Sequence, residues 1–105
     1  MKKEANWDHL KMICKDDYDC VEAFRKVLLK ELPNELQILN QSIESGSLST
    51  AAEIVHKIKH KFALINMESA YQLSVIYEKE LLESINANHQ IFLNYIDELQ
   101  DFIGL

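Results

Sequence analysis

Thr50-Ala51-Ala52-Glu53-Ile54-Val55-His56-Lys57-Ile58-Lys59-His60-Lys61-Phe62-Ala63-Leu64-Ile65-Asn66 is the stretch that decides the fold. Its apolar residues Ala51, Ile54, Val55, Ile58, Phe62 and Ile65 recur at three- and four-residue spacing. On a helix of about 3.6 residues per turn that spacing gathers them into one stripe, whereas a strand would scatter them over both faces. Thr50 with Glu53 three residues later matches a capping box and predicts the helix start. Asn66 predicts the stop, because asparagine enters the left-handed backbone region more readily than most residues.

The residues that the stripe excludes carry the functional interest. At steps of about 100° per residue, His56 lies roughly 140° from the stripe centred on Ala51 and Ile58. Ala52, Lys59, His60 and Ala63 share its side, one or two turns away. The imidazole is therefore expected on an open face, with small residues above and below that leave room for a partner. Lys57, Lys59 and Lys61 add a local basic spot to a chain whose formal net charge is −6.

Working outward, helical spacing continues almost to both ends. A short first helix is predicted over Trp7–Cys14, with Asn6 as N-cap and Trp7, Leu10 and Cys14 on one side. The polar run Lys15-Asp16-Asp17 interrupts it. A second helix is predicted from near Asp19 through Val21, Phe24, Val27, Leu28 and Leu32 to Leu36, Leu39 and Ile43. Pro33 predicts a kink or break near Leu32, since it lacks an amide donor and crowds the preceding turn. Gly46 suits the left-handed position after the last turn. A fourth helix is predicted from about Glu68 to Ser84, with Ala70, Leu73, Tyr77 and Leu81 inward. Asn86-Ala87-Asn88 separates it from a fifth, about His89–Ile103, which buries some of Phe92, Tyr95, Ile96, Leu99 and Phe102. Short turns between long helices make neighbours antiparallel. The expected fold is all-α: an antiparallel up-and-down four-helix bundle with a short additional N-terminal helix across one end, residues 1–105 forming a single domain.

Composition agrees and narrows the function classes. Of the 105 residues 48% are hydrophobic, and only two are glycine and one proline, which suits helices rather than a many-turned β fold. A chain this long buries roughly 65% of its unfolded surface, enough for a core without staples. The acidic balance argues against nucleic-acid binding. No apolar run approaches the ~18 residues of a membrane span, and MKKEANWDHL lacks a signal-peptide apolar region. A cytoplasmic, monomeric protein is expected, not bound to membrane or nucleic acid. Cys14 and Cys20, without companions at zinc-ligand spacing, are read as reduced thiols.

Taken together, His56-Lys57-Ile58-Lys59-His60, then Ile65-Asn66, then Leu73 and Tyr77-Glu78 resemble the histidine-containing phosphotransfer (HPt) domain family. That family reads H-x-L-K-G, a hydrophobic-Gly pair nine and ten residues after the histidine, and Leu-Glu near the middle of the next helix. Upstream, Phe24, Pro33, Leu36 and Leu39 are similar to its phenylalanine-proline-leucine pattern, and Glu44-Ser45-Gly46 to its turn before Ala51-Ala52. The similarity runs from about Asp8 to Leu99. Two positions depart from the pattern: His60 and Asn66 stand where the family has glycine. Asn66 can adopt the same backbone turn. His60 puts a ring where the partner normally approaches.

The resemblance implies a phosphorelay intermediate that accepts a phosphoryl group on His56 and has no autokinase activity. No glycine-rich phosphate loop or kinase motif is present. Partners would be response-regulator receiver domains or a hybrid sensor histidine kinase. The chain itself would need no cofactor, since Mg²⁺ belongs to the receiver. By the same resemblance Lys59 would offset the phosphoryl charge, and Glu78 would orient the imidazole by accepting from its far nitrogen. Ala52, Lys57, His60, Ala63 and Leu64 would meet the partner. The competing expectation is an HPt-like adaptor that binds receivers or kinases without carrying phosphate, and His60 is its main motive. An unrelated helical partner-binding protein is a further alternative. His56 and His60, at i and i+4, are half a zinc site, so no metal site is expected.

Overall fold

The structure is a computed structural model describing residues 3–105. Among the described residues it is all-α, with no strand. The helices are α1 (Asp8–Ile13), α2 (Tyr18–Ser45), α3 (Leu48–Leu64), α4 (Glu68–Leu82) and α5 (His89–Ile103). α3 lies against both α2 and α4, α5 against α4 and α2, and α1 against α2.

The turns between these helices follow from local backbone chemistry. Asp17 caps α2, its carboxylate accepting from the Asp19 and Cys20 amides. Gly46, at φ 76°, ends α2 in the left-handed region, and α3 begins two residues later. Asn66 sits at φ 62° in the short α3–α4 turn, as its residue type predicts. Its side-chain oxygen also accepts from the His9 amide. Asn6 donates its own amide to the Ile65 carbonyl at 3.0 Å, so the N-terminal arm is tied to the turn below His56.

Three local expectations are corrected. α2 passes through Pro33 without a break, and about 1.5 Å per residue over its 28 residues matches the 42 Å long axis of the molecule. α3 starts at Leu48, with Thr50 inside its first turn and no side-chain cap, so the Thr50/Glu53 box does not mark the start. Asn6 does not occupy the N-cap of α1, which is Trp7, but its side-chain oxygen accepts from the Asp8 amide one position on.

Cys14 and Cys20 form a disulfide rather than free thiols, with Cα atoms 5.6 Å apart. The reason lies between them. Lys15 and Asp16 both adopt positive φ, 53° and 60°, which folds the chain back so that six residues of separation close. Closing so short a loop contributes about 2 kcal/mol on the chain-entropy view.

The core sits where the stripe predicts. Ala51, Ile54, Val55, Ile58, Phe62 and Ile65 are all buried. Phe62 meets Phe92 edge-to-face with centroids 5.8 Å apart, and Tyr77 lies 5.3 Å from the same Phe92, which joins α3, α4 and α5. On α4, Ser74 rather than Leu73 is fully buried. Its hydroxyl donates to the Ala70 carbonyl at 2.7 Å and so enters the core satisfied.

Candidate functional site

His56 stands at the seam between α3 and α4, its side chain 52% exposed. Glu78 of α4 faces it, with Oε1 2.9 Å from His56 Nδ1. The second oxygen of Glu78 accepts from Lys59 Nζ at 3.0 Å. One carboxylate thus spans two residues of α3 that lie three apart and project to the same flank. Lys59 is only 12% exposed in its side chain, and its ammonium lies 5.9 Å above the Tyr71 ring. Its charge is held against α4 rather than offered freely to solvent.

With Nδ1–H donating to Glu78, the Nε2 lone pair of His56 is turned outward. His60 reaches that nitrogen. The two Nε2 atoms are 3.4 Å apart and the rings stand nearly perpendicular, 4.9 Å between centroids. His60 can donate Nε2–H to His56, and at this distance the bond is weak.

The basic spot does not survive as a unit. Lys61 turns to the opposite flank and is buried against α2, with Nζ 2.9 Å from Glu31 and 3.1 Å from Glu35. Burial pushes its pKa down, but the hydrogen bonds and charges of Glu31 and Glu35 outweigh that and hold it above the ordinary lysine value. Lysines two apart on a helix point about 200° from each other, so Lys59 and Lys61 face different neighbours. Only Lys57 of the three is exposed.

The surroundings of His56 are partly as expected. Ala52 is not on the open face: it is 3% exposed, because α4 covers it, and it floors a groove beside His56. Ala63 is exposed and lines a second cleft with His60 and Asn66. Leu64 is half-buried and packed against the core. The exposed apolar residues near the site come instead from α4. Val75 and Leu82 flank Glu78 at i−3 and i+4, and Leu82 borders the groove floored by Ala52. The signal was present in the sequence: Val75 and Leu82 fall off the Ala70, Tyr77, Leu81 stripe and on the side of Glu78.

Deeper in the same α4–α5 region, the Tyr77 hydroxyl donates to His89 Nδ1 at 2.6 Å. Burial, with the Glu80 charge added, pushes the Tyr77 pKa up to about 12, and burial pushes that of His89 down. Both groups are therefore neutral near pH 7, the combination this hydrogen bond requires.

No helix among the described residues is long and apolar enough to cross a membrane. No protein-family model, curated protein or solved structure matches the chain.

Proposed function

We propose that the chain is a phosphocarrier of the HPt type, with α2–α5 as an antiparallel up-and-down four-helix bundle and α1 across one end. The observation that carries this reading is the bond between Glu78 and His56 Nδ1, which leaves Nε2 outward as a nucleophile. The phosphoryl donor is an aspartyl phosphate on a response-regulator receiver domain, alone or within a hybrid sensor kinase, together with the receiver's own Mg²⁺. The His56 Nε2 lone pair forms the N–P bond while the P–O bond to aspartate breaks, its electron pair leaving on the aspartate carboxylate. The ring becomes cationic, and the Nδ1–H···Glu78 bond strengthens as it does. Transfer to a second receiver is the reverse sequence onto its aspartate.

Lys59, held by Glu78 on the Nδ1 side of the ring, would supply positive charge to the phosphoryl group. An ammonium has three donors, so Lys59 can keep Glu78 and still reach a phosphoryl oxygen. Val75, Leu82, Ala63 and Lys57 form the surface presented to the receiver. His60 must swing off Nε2 before the phosphoryl group arrives, a rotamer change on an exposed side chain opposed by one weak bond. The protein is proposed to work as a cytoplasmic monomer.

A second reading has one observation in its favour. His60 Nε2 sits against the very nitrogen that must react, so the chain could bind receivers without carrying phosphate. Incubation with a phosphorylated receiver domain separates the two. The carrier reading expects acid-labile, base-stable label, lost in His56→Gln and kept in His60→Gln. Equal labelling of His56→Gln would overturn it. Receiver binding without label in wild type or His60→Gln would establish the adaptor.

A further inference from the structure

Two imidazole nitrogens 3.4 Å apart have the separation of two ligands on one metal ion. Around a tetrahedral centre with metal–nitrogen bonds of about 2.0–2.1 Å, neighbouring ligand atoms are about 3.3–3.4 Å apart. We propose that His56 and His60 together form a surface site for a borderline-soft divalent cation, Zn²⁺, Ni²⁺ or Cu²⁺, bound through both Nε2 atoms, with water in the remaining positions.

Two features beyond the spacing support it. The residues are i and i+4 on α3, so the rings rise from adjacent turns of one face. Glu78 already accepts from His56 Nδ1, the carboxylate–imidazole arrangement that fixes the tautomer and raises the basicity of a metal-bound histidine. Opposing them are the positive charges of Lys57 and Lys59. The second is offset, because Glu78 holds it at 3.0 Å. Among the described residues no cluster of three potential ligands is assembled, so the protein supplies two imidazoles and the site is open to exogenous donors.

Binding needs no proton to leave the protein. His60 shifts its proton from Nε2 to Nδ1, which is a change of tautomer, and both rings then present Nε2 lone pairs to the ion. Nitrogen donors without clustered oxygens also define what the site rejects: Mg²⁺ and Ca²⁺ prefer oxygen shells. The inference stands whether or not His56 carries phosphate. If it does, a bound cation and a phosphoryl group compete for one nitrogen, so occupancy of this site would silence transfer.

The test is a titration of the oxidised full chain with ZnCl₂ or NiCl₂, read by calorimetry and by imidazole proton resonances. A single equivalent should bind, with the His56 and His60 signals moving together and MgCl₂ producing no response. His56→Gln and His60→Gln should each weaken binding more than tenfold. Glu78→Gln should weaken it about tenfold, in the range for partners of a metal-bound histidine. His60→Asn serves as a second variant, and circular dichroism checks that each protein is folded. Unchanged affinity in His60→Gln and His60→Asn, or a loss confined to His9→Gln, would overturn the assignment. No phosphorylated partner enters this experiment, so its failure leaves the carrier reading standing, and the reverse holds too.

Discussion

Lys59 and Lys61 stand two residues apart on one helix, and each is paired with glutamate, yet the two flanks of α3 serve different ends. On the α2 flank, Lys61 is closed in by Glu31 and Glu35, and its pairing with Glu35 is almost wholly removed from water. On the α4 flank, Lys59 shares Glu78 with a histidine that is half open to solvent. Burial makes the Lys61–Glu35 pair a packing element. Partial exposure leaves the second able to exchange partners. A carboxylate that divides itself between an ammonium and an imidazole is poised to follow a change of charge on the ring.

The sharpest way to break the comparison is to remove the cation on the buried flank. Lys61→Met leaves Glu35 without its partner and should cost about 3 kcal/mol in urea unfolding, in the range for a broken buried pair. The matching Lys59→Met should cost less, about 1–2 kcal/mol, because Glu78 is more open to solvent and keeps His56 as a second partner. Equal losses would show that exposure does not distinguish the flanks. Adding Glu35→Leu to Lys61→Met should then recover most of the stability, because the uncompensated charge is gone.

Function should show the opposite ranking. Lys59→Ala and Glu78→Gln should each slow labelling by a phosphorylated receiver roughly tenfold, a barrier change of about 1.4 kcal/mol. The Lys61 and Glu35 variants, where folded, should transfer at the wild-type rate. An unchanged rate in Lys59→Ala would remove that lysine from the proposed chemistry.

The smallest effect concerns the hydrogen-bonded Tyr77–His89 pair. His89 accepts from the Tyr77 hydroxyl, and burial lowers its folded pKa below the unfolded value of about 6.5. The unfolded chain therefore takes up the proton first as pH falls. Its contribution to stability is complete above about pH 6.5 and is lost as pH drops through the folded pKa. Unfolding midpoints at pH 7.5 and 5.5 should differ more for wild type than for His89→Asn. The groups facing it are the Tyr77 hydroxyl and, through Tyr77, Glu80.

The apolar period of Ala51 to Ile65 was enough to assign α3, its buried face and the outward position of His56. Hydrophobic burial repeats along a helix with a period set by covalent geometry, so one chain segment contains that information. Gly46 and Asn66 were legible for a similar reason, since tolerance of positive φ is a property of the residue type. Pro33 and the Thr50/Glu53 box misled because packing along α2 and α3 outweighed a local preference of about a kilocalorie or a few.

Which neighbour each polar side chain meets was decided only when the helices came together. Ala52, Leu64 and Lys61 looked like parts of an open face, but α4 covers Ala52, the core takes up Leu64, and α2 claims Lys61. The pairing of Cys14 with Cys20 needed two successive positive-φ residues that are neither glycine nor asparagine. The apposition of His56 and His60 is a matter of rotamers, which spacing permits but does not select. Periodicity determines which side of a helix faces inward. The partner across each seam depends on contacts between segments far apart in the chain, and their energies are settled only in the assembled fold.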